Sequence, residues 1–249
     1  MTAASNAAIA DGVRASSATR IAAIDALRAV AVYAMIGYHF AFDLRYFGVI
    51  RADFEHDPVC LVIRGAILAS FLLLAGVSLV LADRAGVSAR RFWRHVGEIA
   101  ACALLVSTGS YLMFPKSYIW FGVLHAIALT LIIARPFARK PVAAAAIGFV
   151  VIAAGLLITS RAFDSRALGW IGFMTVKPYT EDYVPLFPWA GGVFLGIALG
   201  DFLARHNFAP IAALDRMPRW FTLLGRHTLL VYMVHQPILL GVLWLALRR

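Results

Sequence analysis

The sequence predicts an all-α, polytopic transmembrane helix bundle of about seven spans with a cytoplasmic N-terminus. Three observations predict it. Hydrophobic residues make up 62% of the 249 and charged residues only 14%, against roughly 25% charged in an average soluble domain. Seven segments stay apolar over about the 20 residues that a helix needs to cross a bilayer core. Of the 23 Lys and Arg, 14 fall on one side of the alternating loops between those segments. A soluble domain of this size cannot hide so much apolar surface. The composition therefore excludes a soluble enzyme, a nucleic-acid-binding module and a disordered chain. The net charge of +10 reads as loop asymmetry, with no nucleic-acid partner implied.

Residues 1–20 are rich in Ala and Ser and hold no apolar run. They read as a short cytoplasmic tail, since a cleavable signal peptide needs its own apolar stretch. Residues 21–249 read as one transmembrane domain. The expected spans are 21–44, 60–82, 96–114, 118–134, 141–160, 183–200 and 227–247. The fifth carries no charge from Val142 to Ser160, whereas the first carries Asp25, Arg28, His39 and Asp43. The tail and the loops 83–95, 135–140 and 201–226, with Arg28, hold the 14 cations and are placed in the cytoplasm. The longest outward loop, 161–182, holds Trp170, Lys177, Glu181 and Asp182. Pro188-Trp189 fits an interfacial anchor after a helix-starting proline. Gly191, Gly192, Gly196 and Gly200 fit close helix packing. Cys60 and Cys102 match neither a metal spacing nor a disulfide framework, so no metal is expected.

Ionisable groups inside a span are expensive and usually mark a site. At about 100° per residue, Asp25, Arg28, His39 and Asp43 form one stripe. The stripe is about 27 Å long at 1.5 Å rise per residue. His39 and Asp43 are four apart and expected to be neighbours, the carboxylate fixing the tautomer of a general base. A structural hydrogen bond between packed helices is the plainer alternative. Asp25 and Arg28 suit a first helical turn and a snorkelling cation equally well. Arg64, His125 and His235 with Gln236 enter other spans, which favours a shared polar cavity. Pro237 permits a kink beside it. His56 lies in the outer loop, in Asp53-Phe54-Glu55-His56-Asp57, where a solvated loop histidine is the alternative reading. Arg226 and His227 are expected to open the last helix, a place suited to phosphate or to anionic lipid.

These residues resemble a known family. Ile24-Asp25-Ala26-Leu27-Arg28-Ala29-Val30-Ala31, then Met35, is similar to the opening helix of the heparan-alpha-glucosaminide N-acetyltransferase catalytic-domain family. Phe71 to Ser78 resembles its second helix, and Phe121-Gly122-Val123-Leu124-His125 its Gly-Val-Leu-Gln segment. Asp182 to Trp189 and Leu224 to Pro237 resemble a bacterial branch of it. The resemblance spans roughly residues 20 to 247. It implies a multi-pass enzyme of the bacterial inner membrane. Such an enzyme moves acetyl from cytoplasmic acetyl-CoA, a co-substrate, to an amine or hydroxyl of an extracytoplasmic saccharide. It also implies that His56 falls within about a residue of the family's catalytic histidine, and that His39 stands where the eukaryotic enzyme has Asn. Ala29 replaces a Gly, His125 replaces a Gln, and the chain has fewer spans than the eukaryotic enzyme.

The candidate catalytic set is thus His39, Asp43, His56, Arg64, His125, Asp182 and His235. Arg28, Arg226 and His227 are the candidates for binding acyl-CoA. Arg64 is expected to stabilise an oxyanion or to hold Asp43 or Asp182. The lipid bilayer is an expected partner, and a homodimer is one open state. The alternative function is a small-solute or proton-coupled transporter, which would use the same buried groups. A haem or metal electron carrier on His39, His125 and His235 lacks paired ligand spacing.

Overall fold

The computed structural model describes residues 21–247, so the expected tail at 1–20 lies outside the described residues. Within them the chain is all-helical without strands. It holds α1 (Ala22–Tyr46), α2 (Pro58–Arg84), α3 (Ala89–Met113), α4 (Val123–Ala134), α5 (Pro141–Leu157), α6 (Arg166–Gly169), α7 (Leu186–Arg205), α8 (Arg219–Arg226) and α9 (Thr228–Leu247). Four of these, α2, α3, α7 and α9, are long and apolar enough to cross a membrane. The other three expected spans fall short of that for separate reasons. α1 has 25 residues but carries its polar stripe. α4, even with the 3-10 turn to Phe137, and α5 are apolar but shorter.

α7 is the spine. It packs between α2 and α5, and small residues let the backbones touch. A Cβ on Gly76 of α2 would strike the carbonyl of Val193, and one on Gly196 of α7 would strike that of Leu73. Around this seam Leu72, Val77, Val80, Val193 and Ile197 are at most 1% exposed. Such close approach is how helices associate where lipid removes the hydrophobic drive between them.

α1 is held differently, by the C-terminal part of the chain. Tyr33 stacks on Phe221 of α8 with ring centroids 5.0 Å apart. The Ala23 N–H donates to Asp215 at 2.8 Å. α9 then returns along α1. α2 begins sharply because Asp57 accepts from the N–H groups of Val59 and Cys60, with Pro58 in the first turn.

Two expected boundaries are corrected. Residues 118–122 are not helical. The Phe121 carbonyl accepts from Val184 N–H at 3.2 Å, an isolated bridge to Tyr183. α4 starts only where side chains take its first N–H groups: Gly122 donates to His125 Nδ1 at 3.2 Å and Val123 to Asp182 at 3.0 Å. A Cβ at position 122 would collide with the Asp182 carboxylate, so glycine is required. Likewise 183–187 does not run as regular helix. Phe187 has φ −95° and ψ 126°, and Leu186 and Phe187 donate to the carbonyls of Trp170 and Ile171.

Candidate functional site

At the amino end of α1, Asp25 is fully buried and shared by two guanidinium groups. Arg28 pairs with it at 3.0 Å and Arg226 at 3.5 Å. Arg28 also donates to Ser78 of α2 at 2.7 Å. Both arginines remain partly exposed, at 26% and 37%. One carboxylate thus orients two cations at this end of α1. Sequence reasoning placed Arg226 and His227 at the start of the last helix. Arg226 instead closes α8, His227 is the exposed residue at the junction, and α9 begins at Thr228.

At the opposite end of α1, the loop 47–57 is pinned by Phe54. That ring is 6% exposed and meets Tyr38 and Phe42 edge-on at 5.5 and 5.6 Å. Two residues on, His56 Nδ1 lies 3.1 Å from both oxygens of Asp53. Asp53 also accepts from the backbone N–H groups of Glu55 and His56. These donors, the His56 N–H foremost, hold its carboxyl below the usual carboxylate range. The imidazole is 81% exposed. With Nδ1 turned to the carboxylate, Nε2 faces out and is the atom free to take a proton. The ring lines an open cleft of about 700 Å³ with Arg45, Ile50, Arg51 and Glu55.

A third grouping is buried between α1 and α9. The expected contact of Asp43 with His39 is replaced. Asp43, 1% exposed, accepts from Gln236 Nε2 at 2.8 Å. His39 faces His235 instead, with ring centroids 5.0 Å apart. His235 Nδ1 is 2.7 Å from the Tyr232 carbonyl oxygen. The neutral amide offers a carboxylate a donor without a second charge, and this outcompetes a neighbour on the same helix.

His125 has its own set of contacts, with α3 and the start of α4. Its Nδ1 accepts from Gly122, and its Nε2 lies 3.3 Å from Ser107 Oγ. Ser107 in turn donates to the Ile119 carbonyl at 2.6 Å. Both ring nitrogens are engaged in tying α3 to the start of α4. Asp182, with Gly122, His125 and Tyr232, lines one narrow crevice without room for a water. Burial pushes its carboxyl above the usual range, against the pull of Val123 N–H, Arg64 and Lys177. Arg64 is thus near enough to Asp182 for its charge to be felt there. Tyr232 joins the two groupings, its ring 5.6 Å from His235.

Gln236 as the partner of Asp43, Asp53 as the partner of His56, and Ser78 as the partner of Arg28 were not identified from sequence. Only the second has a local signal, an Asp three residues before a His. Among the described residues no group of three His, Cys, Asp or Glu is placed to hold a metal ion. The model of the family described as heparan-alpha-glucosaminide N-acetyltransferase, catalytic, matches residues 20–237 of the chain. No curated protein and no solved structure matches it.

Proposed function

The chain belongs to the heparan-alpha-glucosaminide N-acetyltransferase catalytic family, and on that premise we propose that it moves acetyl across a membrane. The donor is cytoplasmic acetyl-CoA, and the acceptor is an amine or hydroxyl of an extracytoplasmic glycan. The observation that carries this reading is the Asp53-held imidazole of His56 at the edge of an open cleft. In this reading residues 21–249 form one domain behind a cytoplasmic tail, in a bacterial inner membrane. α4 and α5 are the shorter crossings of seven, matched by local thinning of the bilayer.

The amino end of α1 is then the cytoplasmic rim. Arg28, Arg226 and the exposed His227 receive the phosphates of the donor, as guanidinium forks and cations suit phosphate. The His56 loop is extracytoplasmic. Nε2 of His56 takes a proton from the acceptor as its nitrogen or oxygen bonds to the acetyl carbon. The C–S bond breaks and the thiolate leaves, to be protonated as CoA. Arg64, set near Asp182, supplies positive charge toward the developing oxyanion.

The test is acetyl transfer by the full chain in proteoliposomes, from labelled acetyl-CoA outside-in to added membrane glycans. Loss of label transfer in His56→Ala, with normal insertion, supports the assignment. Full activity in that variant refutes it. The buried Asp43–His235 grouping favours a second reading, a small-solute or proton-coupled transporter. Solute flux in the absence of any acyl donor decides for that one.

A further inference from the structure

Between α1 and α9 the bundle buries hydrogen-bond acceptors without donors to match. A carbonyl oxygen only accepts, so the contact of His235 Nδ1 with the Tyr232 carbonyl fixes the hydrogen on Nδ1. In the neutral ring Nε2 is then an acceptor. Gln236 gives its Nε2 hydrogen to Asp43 Oδ1. Its own Oε1 is an acceptor too, as is Asp43 Oδ2. These three atoms, Asp43 Oδ2, His235 Nε2 and Gln236 Oε1, are buried and have no hydrogen-bond partner among the described residues. Asp43 and His235 are themselves 1% and 8% exposed. Protein interiors leave few polar atoms in that state, and a cluster of them asks for a ligand or a function. Every orphan here has the same need, a hydrogen. His39 adds a second imidazole, 5.0 Å from that of His235.

We propose that His39, Asp43 and His235 form a proton-binding site inside the bundle, with one proton shared among the three. A single added proton turns one of these acceptors into a donor. The groups that face the site are known. On α1 this is Tyr38, edge-on to His39 at 6.1 Å; Arg45, two positions beyond Asp43, lies on another face of the helix. On α2, Arg64 and Cys60 act on Tyr38. On α9, Tyr232 is near enough to Asp182 to sense its charge. None of them donates to the three orphans.

The proposal deepens the acetyltransferase reading and rests on it for the use of the proton. Transfer breaks one C–S bond and one N–H or O–H bond and forms one C–N or C–O bond. The hydrogen ends on the departing thiol. A site that binds one proton within the bundle carries it between acceptor and thiolate. The experiment needs neither donor nor acceptor, so its outcome is independent of whether acetyl transfer is correct.

The measurement is a pH titration of the full chain in liposomes by infrared difference spectroscopy. A carboxylic-acid carbonyl band is expected to appear with the imidazolium signal at one common midpoint, since coupled groups titrate as a unit. Asp43→Asn removes the band. If that variant fails to insert, Asp43→Glu keeps a carboxyl and displaces the band instead. His235→Asn retains a donor for the Tyr232 carbonyl but deletes Nε2, and it shifts the midpoint of the Asp43 band. A spectrum without such a band, a band unchanged in both Asp43 variants, or a midpoint indifferent to His235→Asn overturns the proposal.

Discussion

His56 with Asp53 and His235 with Asp43 are the same two residue types in opposite settings. In the loop, the carboxylate takes the Nδ1 hydrogen and two backbone N–H groups, and the ring stands in solvent. In the seam of α1 and α9, a carbonyl takes the Nδ1 hydrogen, and the carboxylate is bound by an amide. A carbonyl orients an imidazole. A carboxylate orients it and also stabilises the cation that forms when it takes a proton. The loop pair is thus suited to a substrate arriving from water, and the buried group to a proton held inside the bundle.

The sharpest way to break that contrast is His56→Ala. It is expected to lower acetyl transfer by about 10²- to 10⁴-fold, the usual worth of a general base, measured as label incorporated into glycan. An equal loss in His125→Ala with unchanged helix content would move the chemistry to α4. Next in size is Asp25→Ala. It removes the buried carboxylate that Arg28 and Arg226 share and, since both arginines are partly exposed, is expected to cost about 1–3 kcal/mol of stability. Denaturant titration in detergent measures it, and a loss near zero would show that solvent already satisfies both arginines. Asp53→Asn comes third. It is expected to reduce transfer by roughly 10- to 100-fold, the order seen when a carboxylate that orients a metal-bound histidine is lost. If it costs nothing, the carboxylate in the loop is no better than the carbonyl in the seam.

The smallest effect is a pH dependence. Burial raises the Asp182 carboxyl above its ordinary value of 3.8. Stability from that group is therefore fully present below the ordinary value and lost as pH rises through the folded value. Melting temperature in detergent should fall over that window in the wild type and flatten in Asp182→Asn. A wild-type profile that rises through the window contradicts the assignment.

The apolar runs were readable as helices, and the stripe on α1 was readable from spacing alone. The breaks at 118–122 and 183–187 were not. Trp120, Phe121 and Tyr183 are as compatible with a membrane helix as with the bridge they form. What decides is Asp182 taking the Val123 N–H from another part of the chain. The same holds for the site. Spacing correctly put His39 and Asp43 on one face, yet their partners come from α9. Helical periodicity carries no information about which distant residue wins such a competition. The Asp53–His56 contact is local, and its three-residue spacing was open to being read.

The polar contacts of α1 reach far along the chain. Ala23 needs Asp215, Asp25 needs Arg226, and Asp43 needs Gln236. During synthesis α1 is thus made with its polar stripe incomplete and waits 192 residues or more for these partners. Until α8 and α9 emerge, Asp25 has Arg28, and Asp43 lacks its amide. A chain truncated before residue 215 would hold α1 without the Asp215, Arg226 and Gln236 contacts.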